Sequence, residues 1–281
     1  MKPDLTLSSP AKVNLGLQVL EKRPDGYHNL HTVFQALDFG DTLHFYTTPG
    51  DVTLTASVDW CPVNESNTCV KAYRRLNREF PDLGGIRLHI EKRIPTGGGL
   101  GGGSSNAATT IKALNQLYDL GLSSDDMEQL GHDVGADVPF FIRGGTQLGE
   151  GTGEILTPLA HTMNGFYLLI IPEIHIATAW AYNALKIHLD SPKQPRNFAG
   201  YLQKEEIPFA IFENDFERIV IPSHPEIGRV KESLLKAGAR YASLSGSGST
   251  VFGIFDEEAV ARTAESLFLH YNTVLTVPVR T

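Results

Sequence analysis

A chain of 281 residues with 41% hydrophobic content can bury one or two proper cores. Its 24 Lys plus Arg against 32 Asp plus Glu give a net charge of −8, which argues against broad binding to nucleic acid or an anionic membrane. Cys61 and Cys69 are too few for a disulfide scaffold and lack paired metal-ligand spacing; with no signal-peptide core and no long apolar run, the expectation is a cytoplasmic protein with reduced thiols.

In chain order, Val13, Leu15, Leu17 and Val19 alternate, Arg23-Pro24-Asp25-Gly26 carries turn chemistry, and a second alternating run covers 30–37. That predicts a hairpin. Strands are expected at 42–46, 51–58 and 86–90, with a helix over 68–80 whose Cys69, Tyr73, Leu76 and Phe80 share one face. A helix over 106–120 carries a stripe of Ala107, Ile111, Leu114 and Tyr118. Ser123 or Ser124 can cap the next one, with Met127, Leu130 and Val134 on its buried side.

The texture changes around 158–166, and Tyr167-Leu168-Leu169-Ile170-Ile171 starts a second set of elements. A helix over 225–237, with Ile227, Val230 and Leu234, stops at Gly238, strands follow at 241–244 and 250–255, and a last helix carrying Val260, Ala264, Leu267 and Tyr271 precedes a closing strand at 274–279. The order β-α-β-β-α-β is that of a ferredoxin-like unit. The expected class is mixed α/β (α+β) in two domains, 1–160 and 161–281. In the helix containing Trp180 and Tyr182, Trp180 is expected to anchor the core.

The most informative stretch is Pro95-Thr96-Gly97-Gly98-Gly99-Leu100-Gly101-Gly102-Gly103-Ser104-Ser105. Its six glycines permit positive φ and close main-chain approach just before a helix start, where N–H groups can face an anion such as phosphate. Three familiar loops fail on context. The dinucleotide fingerprint lacks a following parallel strand ending in an acidic residue, the Walker pattern lacks Lys before the Ser, and a protein-kinase reading lacks its His-Arg-Asp catalytic loop. A second close-approach loop, Ser245-Gly246-Ser247-Gly248-Ser249, suggests a shared ligand. Singly, Lys12 and Asp137 carry bland readings too, a solvated lysine and a turn former.

Taken together, Pro10-Ala11-Lys12-Val13-Asn14-Leu15, Arg23 to His28, the glycine loop, Gly135-Ala136-Asp137-Val138-Pro139 and Ser245-Gly246-Ser247-Gly248 resemble the GHMP kinase superfamily, in that family's order and over nearly the whole chain. The stretch from Pro24 to His28 resembles the branch that phosphorylates the 2-hydroxyl of a diphosphocytidyl methylerythritol, in the non-mevalonate route to isoprenoid precursors. The resemblance implies the two-domain fold of that superfamily, ATP with Mg2+, and a small-molecule substrate, with no nucleic-acid or membrane partner. It maps the catalytic pair onto Lys12 and Asp137, with Asp137 handling the hydroxyl proton and Lys12 stabilising negative charge.

The same resemblance places the ATP phosphates on Pro95 through Ser105, with Ser104 and Ser105 as hydroxyl donors, and adenine near Asn67 and Lys92. Thr68 departs from the leucine expected after Asn67. Tyr27 and His28 would meet the cytosine, Tyr182 would face the other side of the base, and Thr178 and Asn14 would contact the substrate. No carboxylate cluster identifies ligands for the magnesium. Another small-molecule GHMP kinase, or a nucleotide-binding protein without catalysis, is the alternative reading.

Overall fold

The computed structural model describes residues 2–24, 26–185 and 194–279. Asp25, part of the expected turn, lies outside the described residues. The chain forms two compact units that are interleaved in sequence: Met1–Ala11, Gly40–Thr96 and Gly101–Gly144 make the first, and Lys12–Phe39, Gly97–Leu100 and Gly145–Thr281 the second. Two long strands, β1 (Leu5–Lys22) and β2 (His28–Thr48), contribute residues to both. Both exceed the expected spans. Pro10-Ala11 interrupt the alternation ahead of Val13, so a period-2 reading begins the first strand too late.

In the first unit, residues 42–48 of β2 pair antiparallel with β4 (Gly85–Glu91), and β3 (Thr53–Ala56) pairs parallel with β4. Helix α1 (Thr68–Glu79) buries Cys69, Val70, Ala72, Tyr73 and Leu76, the apolar stripe of an amphipathic helix, against α2 (Gly102–Leu117). Tyr118, at the C-cap of α2, donates from its hydroxyl to Gly85 O (2.6 Å) and so ties the helix to β4. Helix α3 (Ser124–His132) starts on a capping box in which Ser123 and Asp126 each satisfy the other's N–H. It packs against α4 (Val138–Arg143), which Lys112 of α2 also holds by donating to Phe141 O (2.7 Å). Burial holds that lysine below its ordinary pKa. Both cysteines are buried thiols in this unit, and burial pushes Cys69 up to about 12.

In the second unit, residues 32–35 of β2 pair with β5 (Thr146–Glu150), which pairs with β6 (Ile155–Pro158). A separate antiparallel sheet runs β10 (Asn272–Thr276), β7 (Phe166–Ile171), β9 (Val251–Phe255), β8 (Tyr241–Leu244). In chain order that is fourth, first, third, second, the arrangement a ferredoxin-like β-α-β-β-α-β unit gives. Short helices α5 (Thr178–Leu185), α6 (Phe198–Leu202) and α7 (Glu217–Ser223) precede α8 (Pro225–Lys236), which covers β8 and β9; α9 (Glu258–Glu265) packs on β7, β9 and β10. Its core joins Leu168, Ile170, Ile227, Val230, Leu234, Val251, Phe255 and Phe268.

Two side-chain expectations change here. Trp180 is 39% exposed and meets His224 edge-on, while Ala181 and Leu185 bury the inner face of α5. Ala264 is buried as expected, but Val260 and Leu267 of the same stripe are exposed, and Ala261 and Phe268 carry the contact instead. At Leu267 the helix has narrowed to a 3-10 turn, Ser266–Phe268, where the 3.6-residue period no longer applies.

Candidate active site

The glycine loop begins on a rigid base. Asp41 is fully buried and accepts from Arg93 N (2.7 Å) and Ile94 N (2.8 Å) while pairing with Lys92 Nζ at 2.6 Å. Lys92 Nζ also donates to Ile94 O (2.5 Å), so the ammonium is held within the chain segment that leads to Pro95. Pro95 is half-buried and Thr96 exposed. Sequence reading gave no hint of Asp41, since a carboxylate before a strand is ordinarily a solvated or capping group.

Helix α2 starts inside the glycine run, at Gly102 instead of the expected residue 106, with Gly101 as N-cap at φ +72° and no side chain capping it. Glycine propensity predicts the later start; the turn set by Gly101 overrides it. Thr68 Oγ1 donates to Gly103 O (2.6 Å), joining the first turns of α1 and α2. That gives the departure from leucine at this position a local role. Ser105 is fully buried and accepts from Ser9 Oγ (2.8 Å), which also donates to Asn106 Oδ1. Ser104 is half-buried and Gly103 exposed, so they are the more accessible of these groups. An uncapped helix start presents N–H donors and the positive end of the helix dipole, a site for phosphate oxygens.

Asn67 is the N-cap of α1: its Oδ1 accepts from Cys69 N (2.8 Å) and its Nδ2 donates to Pro62 O (2.6 Å), which fixes the loop before the helix. Asp137 is the N-cap residue of α4, half-buried, and makes no capping hydrogen bond to that helix. A Cβ placed on Gly135 would stand 3.9 Å from Ser104 Oγ, so the segment carrying Asp137 borders the start of α2.

In the second unit, Lys12 Nζ donates to Asn14 Oδ1 (2.8 Å), Asn14 Nδ2 donates to Thr32 Oγ1 (3.0 Å), and Thr32 donates to Gly16 O (2.5 Å). Lys12 and Asn14 are both buried, and the ammonium lies 5.5 Å from the centre of the Phe34 ring. Lys12 N donates to Leu100 O (3.0 Å), and a Cβ on Gly246 would lie 3.5 Å from Asn14 Oδ1 and 3.6 Å from Lys12 Nζ. The two glycine loops meet here: Ser245 Oγ donates to Gly99 O (2.9 Å) and Thr250 N to Gly98 O (3.2 Å). A Cβ on Gly99 would collide with the Ser245 carbonyl, and one on Gly97 would come within 2.8 Å of His175 Nδ1. Asn214, which sequence reading passed over, holds the second loop by donating to Leu244 O and Gly246 O, each at 2.8 Å.

His28 is buried and stacks on Tyr182 with centroids 5.5 Å apart and planes at 23°, while Tyr182 also meets Phe216 edge-on. A base cannot enter between rings that close. Tyr27, by contrast, is 67% exposed. Thr178 is exposed and lies 3.2 Å from Ser247 Oγ, hydroxyl to hydroxyl. Among the described residues no group of three His, Cys, Asp or Glu side chains is placed to hold a metal ion, and no helix is long and apolar enough to cross a membrane.

The family model described as GHMP kinases N terminal domain matches residues 67–145, and that described as GHMP kinases C terminal matches 205–273. The 4-diphosphocytidyl-2-C-methyl-D-erythritol kinase of Chlorobium phaeovibrioides is 41% identical over 93% of this chain and 91% of its own length. That settles the family. This chain belongs to the GHMP kinases, in the branch of the 4-diphosphocytidyl-2-C-methyl-D-erythritol kinases. The Bacteroides thetaiotaomicron kinase of the same name is 42% identical over 88% of this chain and 91% of its own length. A crystal structure of 4-(cytidine 5'-diphospho)-2C-methyl-D-erythritol kinase superposes with a TM-score of 0.84 at 32% identity, covering 99% of this chain and 100% of that one. The two-domain GHMP kinase fold and the kinase class expected from the motifs are thereby established.

Proposed function

We propose that this chain transfers the γ-phosphoryl group of ATP to the 2-hydroxyl of 4-diphosphocytidyl-2-C-methyl-D-erythritol, giving the 2-phosphate and ADP in the non-mevalonate route to isoprenoid precursors. The observation that carries it is the near-complete match to kinases of that name, at about 40% identity over most of the chain. The same reading places the enzyme in the cytoplasm and divides its labour between residues 1–160, for ATP, and 161–281.

Phosphoryl transfer needs positioning, charge neutralisation and a group to handle the hydroxyl proton. The uncapped start of α2 supports the assignment of the ATP phosphates to the stretch from Pro95 to Ser105, with Ser104 the more available hydroxyl. Asp137 borders that helix start and takes, or orients, the proton of the attacking hydroxyl. Lys12, steadied by Asn14, supplies the positive charge that offsets charge developing on the transferred group. Magnesium would arrive on the triphosphate and neutralise its charge, as suits the lack of a carboxylate cage among the described residues.

At the pyrimidine end, exposed Tyr27 supplies the stacking face and His28, braced by Tyr182, the edge contacts; Asn14 and Thr178 contact the rest of the substrate. The test offers ATP together with the diphosphocytidyl substrate, mevalonate, homoserine or galactose, and follows product by phosphorus NMR. Turnover restricted to the cytidylated substrate is expected. Turnover of one of the other three without it would overturn the reading.

A further inference from the structure

Thr32 lies on β2, fully buried, and belongs to none of the motifs that mark the site. Its hydroxyl has one proton, and that proton is donated to Gly16 O (2.5 Å). The hydroxyl oxygen can then meet Asn14 Nδ2 (3.0 Å) only as an acceptor. The NH2 end of the Asn14 amide is thereby tied to Thr32, and its oxygen is turned to Lys12 Nζ (2.8 Å). Turned the other way, the amide would aim N–H groups at a buried ammonium.

The acceptor that sets this polarity is itself held on both sides. Gly16 O and Leu17 N belong to one peptide plane, and Leu17 N donates to Glu213 O (2.9 Å). Gly16 N donates to Tyr241 Oη (3.3 Å), and Tyr241 donates in turn to Phe212 O (2.5 Å). Gly16 takes φ +69°, and a Cβ there would meet the Phe198 ring at 2.9 Å and Phe212 Cα at 3.0 Å, so a glycine is what lets the 212–213 backbone come this close. The bonds run from that fixed peptide through Thr32 and Asn14 to Lys12, all within the second unit.

We infer that Thr32 is a positioning residue for phosphoryl transfer: its hydroxyl, oriented by Gly16 O, fixes the Asn14 amide with its oxygen toward Lys12 and so holds the ammonium in place. The inference rests on the assignment of Lys12 to charge stabilisation. It goes beyond that assignment by giving a part in the reaction to a side chain that acts through Asn14.

Hydroxyl and methyl can be removed separately. Thr32→Val keeps the branched shape and loses the hydroxyl, whereas Thr32→Ser keeps the hydroxyl and loses the methyl. Losing the orienting hydrogen bond should lower kcat about tenfold in Thr32→Val with KM for ATP within about twofold, while Thr32→Ser recovers most of the loss. A residue needed only for packing would show the reverse order. A loss in Thr32→Val no larger than that in Thr32→Ser would overturn the inference. Should Thr32→Val not fold, a loss of about tenfold in folded Thr32→Ser is enough to overturn it.

A second readout needs no turnover. The Asn14 side-chain amide protons, identified by NMR through their disappearance in Asn14→Asp, should exchange slowly with solvent in the unmodified protein and in Thr32→Ser, and faster in Thr32→Val. Equal exchange in all of them would overturn the relay. Absence of turnover in the unmodified protein would instead overturn the functional reading, while the exchange comparison would still decide what Thr32 does.

Discussion

The stretch from Gly97 to Gly103 and the stretch from Ser245 to Ser249 are both rich in small residues, and both use glycine at positive φ: Gly97, Gly99 and Gly101 at +74°, +76° and +72°, Gly246 and Gly248 at +56° and +96°. They differ in what becomes of their polar groups. In the second loop Ser245 N donates to Thr250 O, Gly248 N to Ser245 O, and Gly246 O accepts from Asn214, while Ser245, Ser247 and Ser249 are buried. The first loop ends in a helix with no side chain on its leading N–H groups. Composition alone marks both as close-approach loops. Only the hydrogen bonds separate a buttress, in which Ser245 N and Gly248 N are paired with the carbonyls of Thr250 and Ser245, from a cradle, whose helix start carries no side-chain cap.

The largest effect should come from beside the cradle. Asp137→Asn keeps the shape of the α4 cap but removes the proton-handling charge, so kcat should fall by about 10² to 10⁴ with ATP affinity retained. Near-normal kcat in that variant, measured at saturating ATP, would remove Asp137 from the proton-handling role.

Where the two loops touch, the prediction is about folding. Gly99→Ala places a methyl against the Ser245 carbonyl and a side chain at φ +76°. Stability should drop by several kcal/mol, on the order of the larger single-site losses, in urea denaturation. An unchanged midpoint would mean that the buttress can yield, and the contrast between the loops would weaken.

Gly103→Ala probes the cradle without touching the buttress. The added Cβ meets Thr68 Oγ1 at 3.6 Å, an ordinary contact, at an exposed first-turn position. Stability should stay level or rise by up to about 1 kcal/mol, because alanine suits a helix better than glycine. ATP affinity by calorimetry should nevertheless weaken, since the methyl intrudes where phosphate approaches. Unaltered affinity would put the phosphates elsewhere.

Much of this was legible because it follows from short-range rules. The stripe of α1, the Ser123 cap, the Gly238 stop after α8 and the strand at Tyr241–Leu244 all stand as the periodicity and turn residues predict. The glycine loop and the motifs around Lys12 and Asp137 were legible as a family pattern, though their roles rest on the proposal. What escaped was set by tertiary partners. His28 stacks on Tyr182 from a distant helix, so the two rings brace each other instead of flanking a base. Trp180 turns outward because Ala181 and Leu185 already fill the inner face of its helix. Asp41 and Asn214 act through backbone groups far away in sequence, and no local pattern announces such bonds.

Asp41 has a thermodynamic consequence. One buried carboxylate orders Lys92 and the amides of Arg93 and Ile94 when the chain folds, so the conformational entropy of that approach to the loop is lost then and need not be lost again when nucleotide arrives. Nucleotide binding to the intact protein should therefore carry a smaller unfavourable entropy than binding to an Asp41→Asn protein, even where the two affinities lie close together.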